Sequence, residues 1–336
     1  MSAVREPTSI AATAYPAQQV WSTVLVWGAG LFVLAGTLSF VMARTWWLAD
    51  LVNFFRPHLF VAGGFWSVLC VLRRSRSTIL AALATLLAAT VPLLAVPPAA
   101  GPAEGFPLRV MAANLLIDNP ETERLADYTA QMQPDVILSE ETSPHWQEAL
   151  VDFAELPFES GRDLKLHNDM KLLSRYPIVS EKVVEDQERF PSLIRHPIRF
   201  EIALPDRHLV LYATHPDTPR RPWQWEQRNL YLALLAEAVN GERAGTAVIV
   251  AGDWNTPSWS PFLRDFFEKT GLRSTESRWW PAPTRFSTRF GSIVALGMPI
   301  DHIAVSPGIG LSAFRTGPKF GSNHVPIVAD VTIPAG

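Results

Sequence analysis

Asp253 and Asn255 stand two residues apart just beyond the apolar run Val248–Ala251, with Gly252 between run and pair. A buried strand needs no polar residue at its end, and the carboxyl ends of core strands are where α/β proteins assemble their sites. Comparable places are taken by Asn114, which closes RVMAAN, by Glu141, which closes DVILSEE, by His215, which closes LVLYATH, and by His324, which opens HVPIVADV. Asp301 stands directly before the apolar stretch HIAV. The donors are mostly oxygens: Glu141, Asp253 and Asp301, with the amides of Asn114 and Asn255. Such a set suits a hard cation (Mg²⁺, Mn²⁺ or Ca²⁺), whereas the lack of any Cys in the set and of a His-x-x-x-His pair argues against zinc. Two histidines beside it suit a reaction that takes one proton from water and delivers another to a leaving oxygen. Hydrolysis of a phosphate ester joins these requirements.

Each of these residues taken singly is equally at home in a turn or at a strand end. Asp253-x-Asn255 alone reads as an Asx turn, and His215 before Pro216 as a loop histidine. Their joint occurrence carries the chemical reading. His145, His167, His196, His208 and His302 have no such support and read as loop or packing residues, with His302 beside the site but facing away. Arg175 reads as a structural strand-end residue.

Positioning these groups takes a sheet with several parallel or mixed strands. Strand patterns cover Leu108–Leu116, the segment PDVILSEE, Met170–Ser174, Ile198–Leu204, His208–Thr214, Thr246–Ala251, Ile300–Val305 and Val325–Ile333. Asp118-Asn119-Pro120 predicts a helix with proline at its first position, presenting Leu125, Tyr128 and Met132 on one face. Further helices are predicted over Trp223–Val239 and over Pro261–Lys269, the latter capped by Ser260 and stopped by Gly271. Alternating βα units mix with adjacent hairpin-like pairs, so the class is α/β (α+β) with sheets that are not purely parallel.

The first third of the chain differs from the rest. Residues 1–100 carry a charge balance of +4 and the remainder −7, which together give the net −3 of the 336-residue chain. Val20–Ala43 and Thr78–Ala100 are apolar over membrane-spanning length, and residues 51–72 supply a shorter third candidate. Residues 1–100 are therefore expected to form a membrane region of two or three helices (20–43, 51–72 and 78–100). A proline-rich connector then leads to a domain over 105–336. Arg73, Arg74 and Arg76 form the densest basic cluster near any span and are expected on the cytoplasmic side, which puts the large domain outside the cytoplasm. Cys70 is the sole cysteine, so no intramolecular disulfide can form.

The ordered series Asn114, PDVILSEE, LLSRYPI, ATHP, GDWN, IDH and SNH resembles the endonuclease/exonuclease/phosphatase superfamily, with its deoxyribonuclease I-like fold, over about Leu108 to Ile333. With the apolar N-terminal region, the chain looks like a bacterial inner-membrane-anchored branch. The resemblance implies a four-layer sandwich of two mixed β-sheets flanked by helices, and a phosphodiesterase using Mg²⁺ (or Mn²⁺). It implies a metal side formed by Asn114, Glu141 and Asn323, and Asp253 as the group that orients or deprotonates water. Asn255 would hold a phosphate oxygen, His215 would contact the phosphate or leaving group, and His324 would be a second imidazole oriented by Asp301.

One position departs from that pattern. The family usually has Ser-Asp-His where this chain has Ser322-Asn323-His324. Asparagine keeps the shape and one acceptor but removes a negative charge, so weaker metal binding is expected. The competing reading is a catalytically weakened or inactive envelope binding module of the same fold. Glu140 occupies the family's glutamine position, but as the strand neighbour of Glu141 it is expected to face the other way.

Candidate substrates are nucleic acid and phospholipid, with the lipid bilayer as a partner through the N-terminal helices; no protein partner is inferable. A balance of −7 lacks the basic footprint of a tight duplex-DNA binder. Arg220 and Arg221 could meet a phosphate or an anionic headgroup, or simply occupy a solvated turn. Trp223, Trp225, Trp254, Trp259, Trp279 and Trp280 could stack a base or touch lipid, with packing between layers as the default for most.

Overall fold

The computed structural model describes residues 17–151, 156–160, 169–287 and 297–335. His167 and the terminal Gly336 fall outside the described residues. The chain divides into two compact units. One comprises Met1–Thr37 with Leu59–Thr90, the other Leu38–His58 with Val91–Gly336.

The N-terminal third forms α1 (Ala17–Val41), the short α2 (Trp47–Leu51), α3 (Arg56–Leu72) and α4 (Arg76–Thr90). Continuous helical stretches over Gln19–Arg44, Trp47–Leu72 and Arg76–Leu94, of 26, 26 and 19 residues, are long and apolar enough to cross a membrane. The expected third helix over 78–100 is shorter than its apolar run. Regular helix stops at Thr90, a 3₁₀ turn follows over Val91–Leu94, and Pro92, Pro97 and Pro98 prevent its continuation. In the first unit Leu25, Ala29, Cys70, Ala81 and Ala82 are packed together, and Cys70 is buried as a small apolar residue.

The second unit carries β1 (Phe106–Asn114), α5 (Glu123–Met132), β2 (Val136–Glu140), α6 (Pro144–Val151), β3 (Phe158–Glu159), β4 (Lys171–Ser174) and β5 (Ile178–Val183). There follow β6 (Ile198–Ala203), β7 (His208–Thr214), α7 (Pro222–Asn240), β8 (Ala247–Asp253), α8 (Pro261–Thr270), β9 (Arg273–Ser274), β10 (Asp301–Val305), β11 (Gly310–Thr316) and β12 (Ile327–Ile333). They make two six-stranded mixed sheets, in the orders β11-β12-β1-β2-β4-β3 and β5-β6-β7-β8-β10-β9. In each, the central pair is parallel (β1 with β2, β7 with β8) and its neighbours are antiparallel. Edge strands are short or irregular: β3 and β9 have two residues each, and the pairings of β5 and β11 slip between Ile178 and Ser180 and between Leu311 and Ala313.

Alternation along the strands builds three layers of core. Leu108, Val110, Leu138, Phe200, Leu211, Ile249, Ile303 and Ile327 meet between the sheets. Tyr212, Val248 and Val250 point outward to α7 and α8, and Met111, Ile137 and Val328 to α5 and α6. The result is the four-layer helix–sheet–sheet–helix sandwich.

Local signals behave mostly as read. Ser260 Oγ accepts from the Phe262 N–H, and Gly271 ends α8 in the left-handed region at φ 69°. Two expectations fail. Helix α5 starts at Glu123 rather than at Pro120, because Asn119 turns the chain instead: its side chain donates to the carbonyls of Leu115 and Phe320 and accepts from Glu121 N–H. Strand β1 stops at Asn114 rather than Leu116, which turns away at φ 59°.

Candidate active site

The parallel strand pairs of both sheets bring their carboxyl ends to one place. Asn114 is the last residue of β1, in register with Glu140 at the end of β2. Asp253 ends β8 directly opposite Asp301 at the start of β10. Gly252 lets the sheets close on each other there. Its φ is 134°, and a Cβ at this position would run into the Thr214 carbonyl and the Glu140 carboxyl. Beyond it, Trp254 is wholly buried against Phe266, Phe267 and His302, with its Nε1 donating to the His302 carbonyl at 3.1 Å. This anchor turns Asp253 and Asn255 to the opposite side. His302 Nε2 bonds the Thr256 carbonyl and burial lowers its pKa, so it packs beside the site without facing it.

Asp253 Oδ2 is the point of convergence. Asn114 Nδ2 lies 3.4 Å from it, His324 Nε2 3.7 Å and His215 Nε2 4.0 Å. Both imidazoles are held at Nδ1 by a carboxylate: His324 by both oxygens of Asp301 at 3.0 Å, His215 by Asp169 Oδ2 at 3.2 Å. Each therefore presents Nε2 to the same oxygen. The His215 amide donates to Tyr231 Oη, and the His324 amide to Ser322 Oγ, which donates in turn to the Asn114 carbonyl.

Glu141 follows the end of β2 in a left-handed conformation, φ 53°, which breaks strand alternation. Its Oε1 accepts from Asn114 Nδ2 at 3.0 Å and lies 3.9 Å from His215 Nε2, while Oε2 accepts from the Ile117 amide. Asn255 is left-handed too, at φ 46°. Its amide closes an Asx turn on Asp253 Oδ1 at 2.8 Å, and its Nδ2 donates to the Pro216 carbonyl. That bond occupies one of the two amide hydrogens expected to face a phosphate oxygen. The Asn323 Oδ1 is buried without a hydrogen-bond partner among the described residues.

The electrostatics follow from the carboxylates packed around this centre. Burial raises the Asp253 pKa, with the two histidines opposing and Asp301 adding to the rise. For His324, burial pulls the pKa down but Asp301 and Asp253 outweigh it, leaving it above the usual histidine value. His215 is raised in the same way, with burial overcome by Asp169 and then Asp253. Glu140 is fully buried, and neither carboxyl oxygen has a partner at ordinary hydrogen-bond geometry among the described residues. Burial, then the charges of Asp301, Asp253 and Asp169, lift its pKa well above the carboxylate range.

Asp169 and Arg195 were invisible in the sequence. Arg195 lies 3.4 Å from Asp169, 3.6 Å from Asp217 and 3.5 Å from His215 Nδ1, tying the His215 side of the site to the loop after β7. Asp169 stands directly before the strand pattern Met170–Ser174, but no motif or partner close in sequence singled it out. Arg175 pairs with Asp135, as a structural residue should. His196 and His208 bond the Val184 carbonyl and Glu201, away from the cluster.

A hard divalent cation fits this donor set. The groups are oxygen-rich and largely buried, Asn323 offers an unpartnered oxygen, and ligand atoms of Asp253, Asp301 and His324 all lie within 4.8 Å of one another.

Two mixed six-stranded sheets between helices, with paired imidazoles and carboxylates at the strand ends, define a phosphoesterase of the sandwich type. The chain belongs to the endonuclease/exonuclease/phosphatase family, which it matches over residues 111–324, and whose members are phosphoric ester hydrolases. Among solved structures, D. rerio TDP2 complexed with single strand DNA product is similar at a TM-score of 0.53 and 16% identity, over 67% of this chain and 98% of that one. The endonuclease/exonuclease/phosphatase from Beutenbergia cavernae gives 0.52 at 20% identity, over 68% and 72%. Truncated Caenorhabditis elegans TDP2 gives 0.52 at 16%, over 68% and 99%. These likenesses are of fold. No curated protein matches the chain by sequence.

Proposed function

We propose that the chain is a membrane-anchored, Mg²⁺-dependent phosphodiesterase with its catalytic domain, residues 105–336, outside the cytoplasm, acting on phosphodiesters of lipid headgroups. The observation that carries the chemistry is the meeting of two carboxylate-oriented imidazoles at Asp253 Oδ2. Asp253, made more basic by burial, takes the proton of the attacking water. His324, kept protonated by Asp301, donates Nε2–H to the phosphoryl oxygens or the leaving oxygen, and His215 does so from the other side. The free hydrogen of the Asn255 amide holds a further phosphate oxygen. Glu141, with Asn114 beside it and with Asn323, would hold the cation, which when bound supplies Lewis-acid stabilisation of phosphoryl charge.

The lipid assignment rests on a short piece of chain. His215 is four residues from Pro219, whose carbonyl accepts from Trp47 Nε1 at 2.8 Å, so the two lie within about 14 Å along the chain. Trp47 starts α2, directly after the connection between the first two apolar helical stretches, and Trp46, Leu48 and Phe55 around it are exposed. Tryptophan at the ends of such helices marks the bilayer interface. Arg220 and Arg221 continue the same loop into Trp223 at the start of α7, and all three are exposed. The bond to Pro219 supports placing this connection on the side of the catalytic domain; a single crossing by α3 would then leave Arg73, Arg74 and Arg76 on the other, cytoplasmic side. A nucleic-acid substrate is the second reading, favoured by the single strand DNA product bound to the TDP2 neighbour.

The test uses the full chain in phospholipid nanodiscs, assayed for headgroup release, for single-stranded DNA cleavage and for hydrolysis of a soluble diaryl phosphodiester, with Mg²⁺ and with EDTA. Metal-dependent headgroup release abolished by Asp253→Ala is expected. DNA cleavage alone would replace the lipid reading, and no turnover of any substrate by a folded, Mg²⁺-saturated sample would end the enzymatic one.

A further inference from the structure

Asp50 is one of two acidic residues in the apolar first third of the chain. Its carboxylate is buried and accepts from four donors: Asn53 Nδ2 at 3.0 Å, Ser260 Oγ at 2.9 Å, Trp225 Nε1 at 3.1 Å and Arg228 Nη2. Ser260 caps α8, and Trp225 and Arg228 lie on α7. Arg44 adds a second ion pair from this segment, to Asp265 on α8.

Arg228 is wholly buried, and Asp50 is its carboxylate partner among the described residues. A buried guanidinium without a counter-charge is strongly disfavoured, so its position depends on Asp50. Its other terminal nitrogen, Nη1, faces the loop after β8, 3.4 Å from the Asn255 carbonyl and 3.2 Å from Thr256 Oγ1. Asn255 is the residue held at φ 46°. A non-glycine residue in that conformation persists only where its surroundings determine it. Its amide and side chain are fixed from within the site, by Asp253 and Pro216, and its carbonyl is fixed by Arg228.

We propose that Asp50 is a positioning residue for phosphodiester hydrolysis. From α2, at the start of the second apolar helical stretch, it holds Arg228, and through Arg228 it sets the conformation of the Asp253–Thr256 loop. The membrane segment thus contributes to the catalytic framework and is more than a tether. The role in turnover rests on the proposed function; the ordering of the loop does not.

The experiment compares full-length variants in detergent micelles by kinetics on the soluble diaryl phosphodiester, thermal unfolding, and amide hydrogen exchange over residues 253–258. Asp50→Asn should lower kcat about tenfold or more with KM nearly unchanged, as misplacement of a reacting group does. Exchange in the loop should rise about tenfold, and Asp50→Glu should recover part of both losses. Replacing the pair by Asp50→Asn with Arg228→Met separates the roles: unfolding temperature should return towards wild type as the buried charges go, while kcat stays low and loop exchange stays fast. Should Asp50→Asn alone not fold, this double variant decides. Recovery of kcat and exchange protection together with stability would overturn the proposal, as would a folded Asp50→Asn chain with wild-type kcat and exchange. If the wild-type chain hydrolyses nothing, the proposed function falls, and the exchange comparison still decides whether Asp50 orders the loop.

Discussion

Glu140 offers a quantitative test of the electrostatics beneath the site. Its carboxyl is buried between the sheets, against Gly252 and close to the charges of Asp301, Asp253 and Asp169. Burial first, and those charges second, raise its pKa well above the usual value. The folded chain therefore keeps a proton there that the unfolded chain releases above about pH 4.3. The native state then binds more protons than the unfolded state, so stability falls as pH rises from the unfolded value towards the folded one. One proton corresponds to a slope of about 1.4 kcal/mol per pH unit. Glu140→Gln is isosteric, cannot ionise, and restores the residue that the family resemblance places at this position. Its stability relative to wild type should be constant at pH 4 and below. Above that it should grow by about 1.4 kcal/mol, or roughly 3–6 °C in Tm, per pH unit through the lower part of the window. Thermal unfolding of the full chain in detergent with EDTA, followed by tryptophan fluorescence between pH 4 and 7, reads this directly. A difference that stays flat from pH 5 to 7 would mean that Glu140 is ionised and satisfied in the native state, and the reasoning would be refuted.

Two further outcomes are expected. Asp301→Asn removes the carboxylate that keeps the His324 pKa up, so the protonated imidazole is lost at lower pH and the alkaline limb of kcat/KM moves towards acid. A pH profile on the soluble diaryl phosphodiester, with the limb unmoved, would show that Asp301 does not act through His324. Gly252→Ala places a Cβ against the Thr214 carbonyl of the neighbouring strand at a φ of 134° and should cost more than about 2 kcal/mol in denaturant unfolding; a loss below about 0.5 kcal/mol would show that the backbone at the ends of β7 and β8 can shift to admit it.

Much of the site could be read in the sequence because its residues sit at the ends of strands whose apolar runs are unmistakable. Val248–Ala251 and Leu209–Ala213 are continuous apolar runs, and the polar residue that follows each one stands out. What stayed hidden had no periodic frame. Asp169 lies just outside the short strand pattern Met170–Ser174, with no apolar run leading into it, yet it holds His215. Arg195 reaches the same histidine from a loop. Strands β5 and β11 are largely half-exposed with slipped registers, so their apolar alternation is weak. Helix α6 was likewise not read. Asp50 was hidden for a different reason. Three of its four partners lie 175 to 210 residues away, and hydropathy alone assigns its surroundings to a membrane span.

The ends of the sheets have a further consequence for a chain held, as proposed, in a bilayer. Neighbouring copies confined to one plane meet repeatedly in similar orientations, which favours accidental strand-to-strand association. Two-residue borders at β3 and β9 and interrupted pairing at β5 and β11 leave no long, regular row of free amides and carbonyls for a second copy to extend. Crowding at the membrane surface can then rise without the sandwiches zipping into a continuous sheet.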